Sequence, residues 1–210
     1  RVDEFQAMTT RPELLPACVA VMCDPEYAKK YESIGARVDD VNRAFFLCGS
    51  SSQPHVVEIG SGTGREAKII APRAETYVGV DVSEQMVAIA KINVPDVVFE
   101  LADVTAYRFP AGTDIVFAFA SLLHLPKQQL QNVLKNIASK LSKGGIAYLS
   151  LKRSEEYTEK VEQDDFGKRR FYYYNQETLE DIKPEDFEVV YTDEQYHGTN
   201  DWITIVFKKI

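Results

Sequence analysis

Glu58-Ile59-Gly60-Ser61-Gly62-Thr63-Gly64-Arg65 is the stretch on which the reading of this chain turns. Just before it ends an apolar, β-type run, Val56-Val57-Glu58-Ile59. From Arg65 to Ile70 follows a segment of helical composition that stops before Pro72. A glycine turn between strand and helix lets the backbone reverse where a Cβ would forbid it, and lets a ligand lie against bare peptide groups. The unpaired N–H groups opening the next helix then face that ligand. The plain alternative is a tight turn with incidental glycines. Three glycines at alternate positions, at the carboxyl end of a strand, argue against it.

Outward from the loop, short apolar runs alternate with amphipathic stretches. Tyr77-Val80 reads as a second strand, Glu84 to Ile92 as a helix with Ser83 as N-cap, and Val97-Glu100 as a third strand. Asp114–Phe119 reads as a fourth strand. Leu130 to Leu141 reads as a helix closed by Lys143-Gly144-Gly145, and Ile146–Leu151 as a fifth strand. Strands alternating with helices imply a parallel sheet covered on both faces and, with right-handed crossovers, doubly wound. After a charged stretch from Lys152 to Arg170, a helix is expected over Gln176–Ile182. Phe187–Tyr191 and Trp202–Phe207 are then too closely spaced for a crossover and are expected to form an antiparallel hairpin. Upstream, Leu14 to Leu47 reads as helical, followed by the turn-rich linker Gly49–Pro54.

The chain has 210 residues, an apolar fraction of 45%, a charged fraction of 27% and a formal net charge of -8. That suits one α/β domain over 1–210 with a full core. An acidic balance disfavours a nucleic-acid partner, since phosphate backbones are gripped by Lys and Arg releasing counterions. No window has the roughly 18–20 apolar residues of a membrane span, and no signal pattern opens the chain, although residue 1 is Arg rather than Met. Cys18, Cys23 and Cys48 lack metal-site spacing, so no metal is expected and a reducing, cytoplasmic setting is. The pairs Glu155-Glu156 and Asp164-Asp165 read as solvated loop charge.

Spacing narrows the ligand. A dinucleotide fingerprint places its third glycine where this chain has Arg65, and a phosphate loop needs a Gly-Lys-Ser/Thr ending that is absent. Asp81, closing the second strand 17 residues after Gly64, can accept hydrogen bonds from both hydroxyls of a ribose, or else is a capping carboxylate. The pattern E-x-G-x-G-x-G with this acid resembles motif I and the ribose site of the class I S-adenosylmethionine-dependent methyltransferases. The resemblance covers about Val56 to Leu151, and continues with lower specificity to the last strands.

It implies a Rossmann-like, seven-stranded methyltransferase fold that takes S-adenosylmethionine as cofactor and releases S-adenosylhomocysteine. Glu58, Gly60, Ser61, Gly62, Gly64 and Asp81 would form the donor site, with Val82 and Met86 against the adenine, Asp103 and Val104 at its edge, and Ala120 beside the donor. It places the acceptor at the end of the fourth strand, where Ser121 leaves room and His124 either acts as general base or orients the acceptor. The plain alternative for His124 is a bond to a backbone carbonyl. Segment 1–47, with Tyr27 and Tyr31, would lid the site, and 152–210 would cover the acceptor. Within it, Arg169–Tyr174 reads either as a cationic, aromatic acceptor wall led by Arg170 and Tyr172, or as a strand of alternating rings. Asn-Pro-Pro-Tyr and Asp-Pro-Pro-Tyr, usual in enzymes that methylate nucleic-acid amino groups, are absent. The expected function is methyl transfer to a small-molecule acceptor. A protein acceptor, or a binding protein without turnover, is the alternative, and monomer or homodimer is undecided.

Overall fold

The computed structural model of the chain describes residues 34–49, 52–164, 167–197 and 200–210. Its helices are α1 (Val38–Cys48), α2 (Ala67–Ile70), α3 (Glu84–Asn93), α4 (Lys127–Lys140) and α5 (Gln176–Ile182). Its strands are β1 (His55–Ile59), β2 (Thr76–Asp81), β3 (Val98–Leu101), β4 (Thr113–Phe119), β5 (Leu141–Lys152), β6 (Thr158–Asp164), β7 (Gly167–Tyr173), β8 (Phe187–His197) and β9 (Asn200–Lys209).

Seven strands form one sheet in the order β3-β2-β1-β4-β5-β9-β8. The first five run parallel, and β9 is antiparallel to both β5 and β8. This is the doubly wound, mostly parallel sheet with a C-terminal antiparallel hairpin that the sequence leads one to expect. The strand order reverses between β1 and β4, and the crevice beyond their carboxyl ends is where open α/β sheets take ligands.

Both faces are buried, which is why the central strands read as nearly unbroken apolar runs. Val57, Ile59, Val116, Ala118 and Leu149 pack on one face beneath Leu130 and Leu134 of α4 and Leu179 of α5. Val56, Ile115, Phe117 and Tyr148 pack on the other, beneath Val41 and Ala44 of α1, Ile70 of α2 and Val87 of α3. Ser83 caps α3 by accepting the Met86 N–H at 3.3 Å, and Asn175 caps α5 by accepting that of Thr178 at 2.9 Å. Cys48 Sγ lies 3.8 Å from the Asp114 carbonyl.

Three local expectations change. Helix α4 begins at Lys127 behind Pro126 and ends at Lys140, without a glycine cap. Leu141 already pairs with Thr113, and the two glycines bend β5 instead. Gly144 has φ +79°, and a Cβ on Gly145 would fall 2.9 Å from the carbonyls of Asp114 and Ser142. The charged stretch after β5 folds into a separate two-stranded sheet, in which β6 and β7 pair antiparallel from Thr158–Tyr173 to Asp164–Gly167. Lastly, β8 and β9 extend several residues beyond their apolar cores, to the pair His197–Asn200.

Candidate functional site

The glycine loop is folded onto the end of β2. The N–H groups of Gly60 and Ser61 both donate to the Val80 carbonyl, at 2.7 and 3.1 Å, and that of Gly62 donates to Asp81 Oδ2 at 2.9 Å. The Ser83 N–H takes the other Asp81 oxygen at 2.9 Å. Asp81 is 7% exposed. Burial pushes its carboxyl above the usual carboxylate range, while the N–H groups of Ser83, Gly62 and Val82 pull it back. A carboxylate offers about four lone-pair sites, so these N–H groups still leave acceptor capacity for a ligand.

Gly60, Gly62 and Gly64 all have positive φ (+72°, +52° and +79°), a region L side chains rarely enter. A Cβ on Gly60 would lie 2.3 Å from Cβ of Ser121, and a Cβ on Gly62 would meet nothing within 4 Å. Gly60 is therefore required by the close approach of the loop after β4, and Gly62 faces open space. Ser61 Oγ is buried and has no hydrogen-bond partner among the described residues.

Glu58 lies at 1% exposure on β1 and accepts the Tyr77 hydroxyl proton. Burial drives its pKa well above the ordinary range, and the nearby Glu66, itself paired with Arg65 at 2.6 Å, adds to the rise. Along the rest of the expected donor side, Val82 is 47% exposed and Met86 is buried in the first turn of α3. Asp103 is exposed and accepts both the N–H and the hydroxyl of Thr105 at 2.8 Å. Val104 packs on the core. The Ala102 N–H bonds the Asp81 carbonyl at 3.0 Å, which joins this loop to the end of β2.

Beyond β4, Ala120 holds φ +52°, the one non-glycine positive φ among the described residues, with its N–H on the Ser150 carbonyl at 3.0 Å. Ser121 Oγ donates to the Ile59 carbonyl at 2.8 Å. His124 Nδ1 lies 2.9 Å from the Arg170 carbonyl, so Nδ1 carries the proton. The ring also packs against Phe171, with centroids 4.8 Å apart and planes tilted by 37°. Burial lowers the His124 pKa to about 4, assisted by Arg169 and Lys152 and opposed by the Arg170 bond.

Side chains alternate along β7, which puts Arg170 and Tyr172 on the face opposite Phe171. Arg170 is exposed and meets Glu159 at 3.3 Å; Tyr172 is buried against Tyr157, rings nearly parallel at 6.3 Å. The residues that face the ends of β4 and β5 are Arg169, Phe171 and Tyr173. Lys152, at the end of β5, sits 4.0 Å from the Phe171 ring and bonds both Glu162 oxygens at 2.7 and 2.6 Å. Glu162 also accepts the Tyr173 hydroxyl proton. None of Lys152, Glu162 and Phe171 stands out in the sequence; alternation along β7 separates Phe171 from Arg170 without saying which side faces the sheet. Tyr27 and Tyr31 lie outside the described residues. Among those residues there is no group of three or more His, Cys, Asp or Glu placed to hold a metal, and no helix long and apolar enough to cross a membrane.

Residues 56–145 match the family described as "Methyltransferase domain". Over this stretch the chain is similar to that family. Trans-aconitate 2-methyltransferase of Afipia carboxidovorans is 35% identical to the chain over 94 residues, 43% of this chain and 36% of that protein. The Delftia acidovorans protein of the same name is 27% identical over 126 residues, 57% of this chain and 46% of its own length. The chain thus spans less than half the length of these relatives. An S-adenosylmethionine-dependent methyltransferase from Clostridium acetobutylicum has the same fold, with TM-score 0.70 at 13% identity, covering 88% of this chain and 98% of that one. Magnesium protoporphyrin IX methyltransferase of Synechocystis, solved with its donor bound, gives 0.64 at 18% identity, covering 82% and 78%. The geometry around the glycine loop fits such a donor. It has an orphaned buried hydroxyl at Ser61, open space at Gly62 and spare acceptor capacity on Asp81.

Proposed function

We propose that the domain transfers a methyl group from S-adenosylmethionine to a small-molecule acceptor. The observation that carries this reading is Asp81, held by the Gly62 and Ser83 N–H groups at the end of β2, directly under the glycine loop. Bound S-adenosylmethionine would supply a sulfonium-activated methyl group. Asp81 would accept the ribose hydroxyls, while Glu58, Gly60, Ser61, Gly62 and Gly64 would shape the loop that receives the amino-acid end. Val82, Met86, Asp103 and Val104 would line the adenine side, and Ala120 the approach to the sulfonium. The names of the relatives, which act on trans-aconitate and magnesium protoporphyrin IX, support a small molecule as acceptor.

Ser121 and His124 would border the acceptor at the end of β4. A histidine with pKa about 4 is a weak base at neutral pH, so its part is to orient the acceptor. Arg169 and Phe171, on the inner face of β7, would bound the acceptor side in place of Arg170 and Tyr172, which face away from it. The rate would come from alignment behind the methyl group and exclusion of water. The reading is tested by calorimetric titration with S-adenosylmethionine and S-adenosylhomocysteine. Both should bind in the micromolar range, and Asp81→Ala should weaken both at least tenfold, roughly 1.4 kcal/mol. Well-folded protein that binds neither would overturn the proposal.

A further inference from the structure

Between the β6–β7 hairpin and the extended ends of β8 and β9 lies a cleft of about 400 Å³, within the roughly 300–1,000 Å³ usual for small-molecule sites. Arg153, Glu155, Lys160, Tyr173, Tyr196 and Asp201 line it. Its charges divide in two. Arg153 is already neutralised by Glu194 at 2.8 Å, and its guanidinium sits 5.4 Å over the Tyr196 ring. Lys160, Glu155 and Asp201 form no ion pair among the described residues, although they share one cleft; the ammonium of Lys160 rests 4.5 Å above the Tyr173 ring. Opposite charges that line the same concavity without meeting are best satisfied by a ligand carrying both signs. The carboxylates outnumber the unpaired cation, so the cationic end of that ligand gains most.

From this arrangement we infer that the cleft binds a small zwitterion of the amino-acid class. Its carboxylate would lie on Lys160 and its ammonium between Glu155 and Asp201, with the body of the molecule against Tyr173 and Tyr196. The cleft adjoins the expected acceptor end. Tyr173 bonds Glu162, Glu162 pairs with Lys152, and Lys152 packs on the same Phe171 ring that His124 touches. That the zwitterion is the methyl acceptor rests on the proposed function; that it binds does not.

The test is calorimetric titration of the full chain, alone and saturated with S-adenosylhomocysteine, using the free L-amino acids, with succinate and cadaverine as controls of one sign only. At least one amino acid should bind, more tightly than either control. Lys160→Gln and Asp201→Asn should each weaken it about tenfold or more; Lys160 is exposed, Asp201 is half-buried, and neither forms an ion pair among the described residues. Failure of every amino acid to bind, or binding indifferent to both substitutions, would overturn the inference even where S-adenosylhomocysteine binds. Amino-acid binding without S-adenosylhomocysteine binding would keep the cleft and remove the methyltransferase reading.

Discussion

Ser121 and Gly60 are locked together: the serine hydroxyl donates to the Ile59 carbonyl at 2.8 Å, and its Cβ occupies the space a side chain at position 60 would need. The loops after β1 and β4 are therefore set by one contact. Gly60→Ala meets two penalties, a left-handed backbone costing about 1–2 kcal/mol and overpacking of typically 1–3 kcal/mol. The variant should lose about 2–5 kcal/mol in urea denaturation. Adding Ser121→Gly should return the overpacking part but not the backbone part, a coupling of roughly 1–3 kcal/mol. Strict additivity of the two substitutions would mean that the contact does not exist.

Glu58 should make the protein less stable as pH rises. Its folded pKa lies above its ordinary 4.5, so the folded chain holds the proton more tightly than the unfolded one does. Its contribution is most favourable below pH 4.5 and is lost as pH climbs through the raised folded value. Glu58→Gln keeps an acceptor for the Tyr77 hydroxyl and removes the buried charge. It should match or exceed the parent in stability at pH 7 and flatten the slope above pH 4.5, as read by denaturation midpoints at a series of pH values. An unchanged slope would place the titrating group elsewhere.

His124 titrates in the other direction. With a folded pKa of about 4 against an ordinary 6.5, it takes up its proton in the unfolded chain first. Stability therefore falls as pH drops from 6.5 toward 4. Nitrogen NMR should find the ring neutral at pH 6, with the proton on Nδ1. His124→Asn should reduce the pH dependence in that window and cost about 1 kcal/mol for the lost bond to Arg170. A measured pKa near 6.5 would restore the general-base role.

The glycine loop and Asp81 were legible because their demands are local. A positive φ selects glycine, and an acid at the end of the second strand needs only its place in the order. Helix α5 was legible for the same reason, since Asn175 and the apolar spacing of Leu179 and Ile182 are written in adjacent residues. The β6–β7 pair was not. Thr158–Asp164 has one apolar residue, Val161, among four charged ones and no apolar alternation, and its Lys152–Glu162 partnership joins residues from different elements. Nor could alternation alone say which parity of β7 faces the sheet. Arg170 and Tyr172 drew notice as a motif, while Arg169 and Phe171 took the inner side.

The hairpin's attachment gives the last prediction. Lys152 is 7% exposed and its carboxylate partner Glu162 is 38% exposed, so the ammonium depends on a partner that water still reaches. Removing one member of a buried pair costs roughly 3–5 kcal/mol because it strands the other charge. Access of water to Glu162 puts Glu162→Gln at the lower end of that range. Lys152→Met alone leaves the carboxylate able to turn outward and should cost less than Glu162→Gln. The double variant Lys152→Met, Glu162→Leu replaces the pair with packing against Phe171 and should recover most of the loss, since apolar replacements of buried pairs are often neutral. Chemical denaturation of the three variants measures this directly. A double variant no better than Glu162→Gln would mean that the pair contributes more than charge balance to holding the hairpin over the ends of β4 and β5.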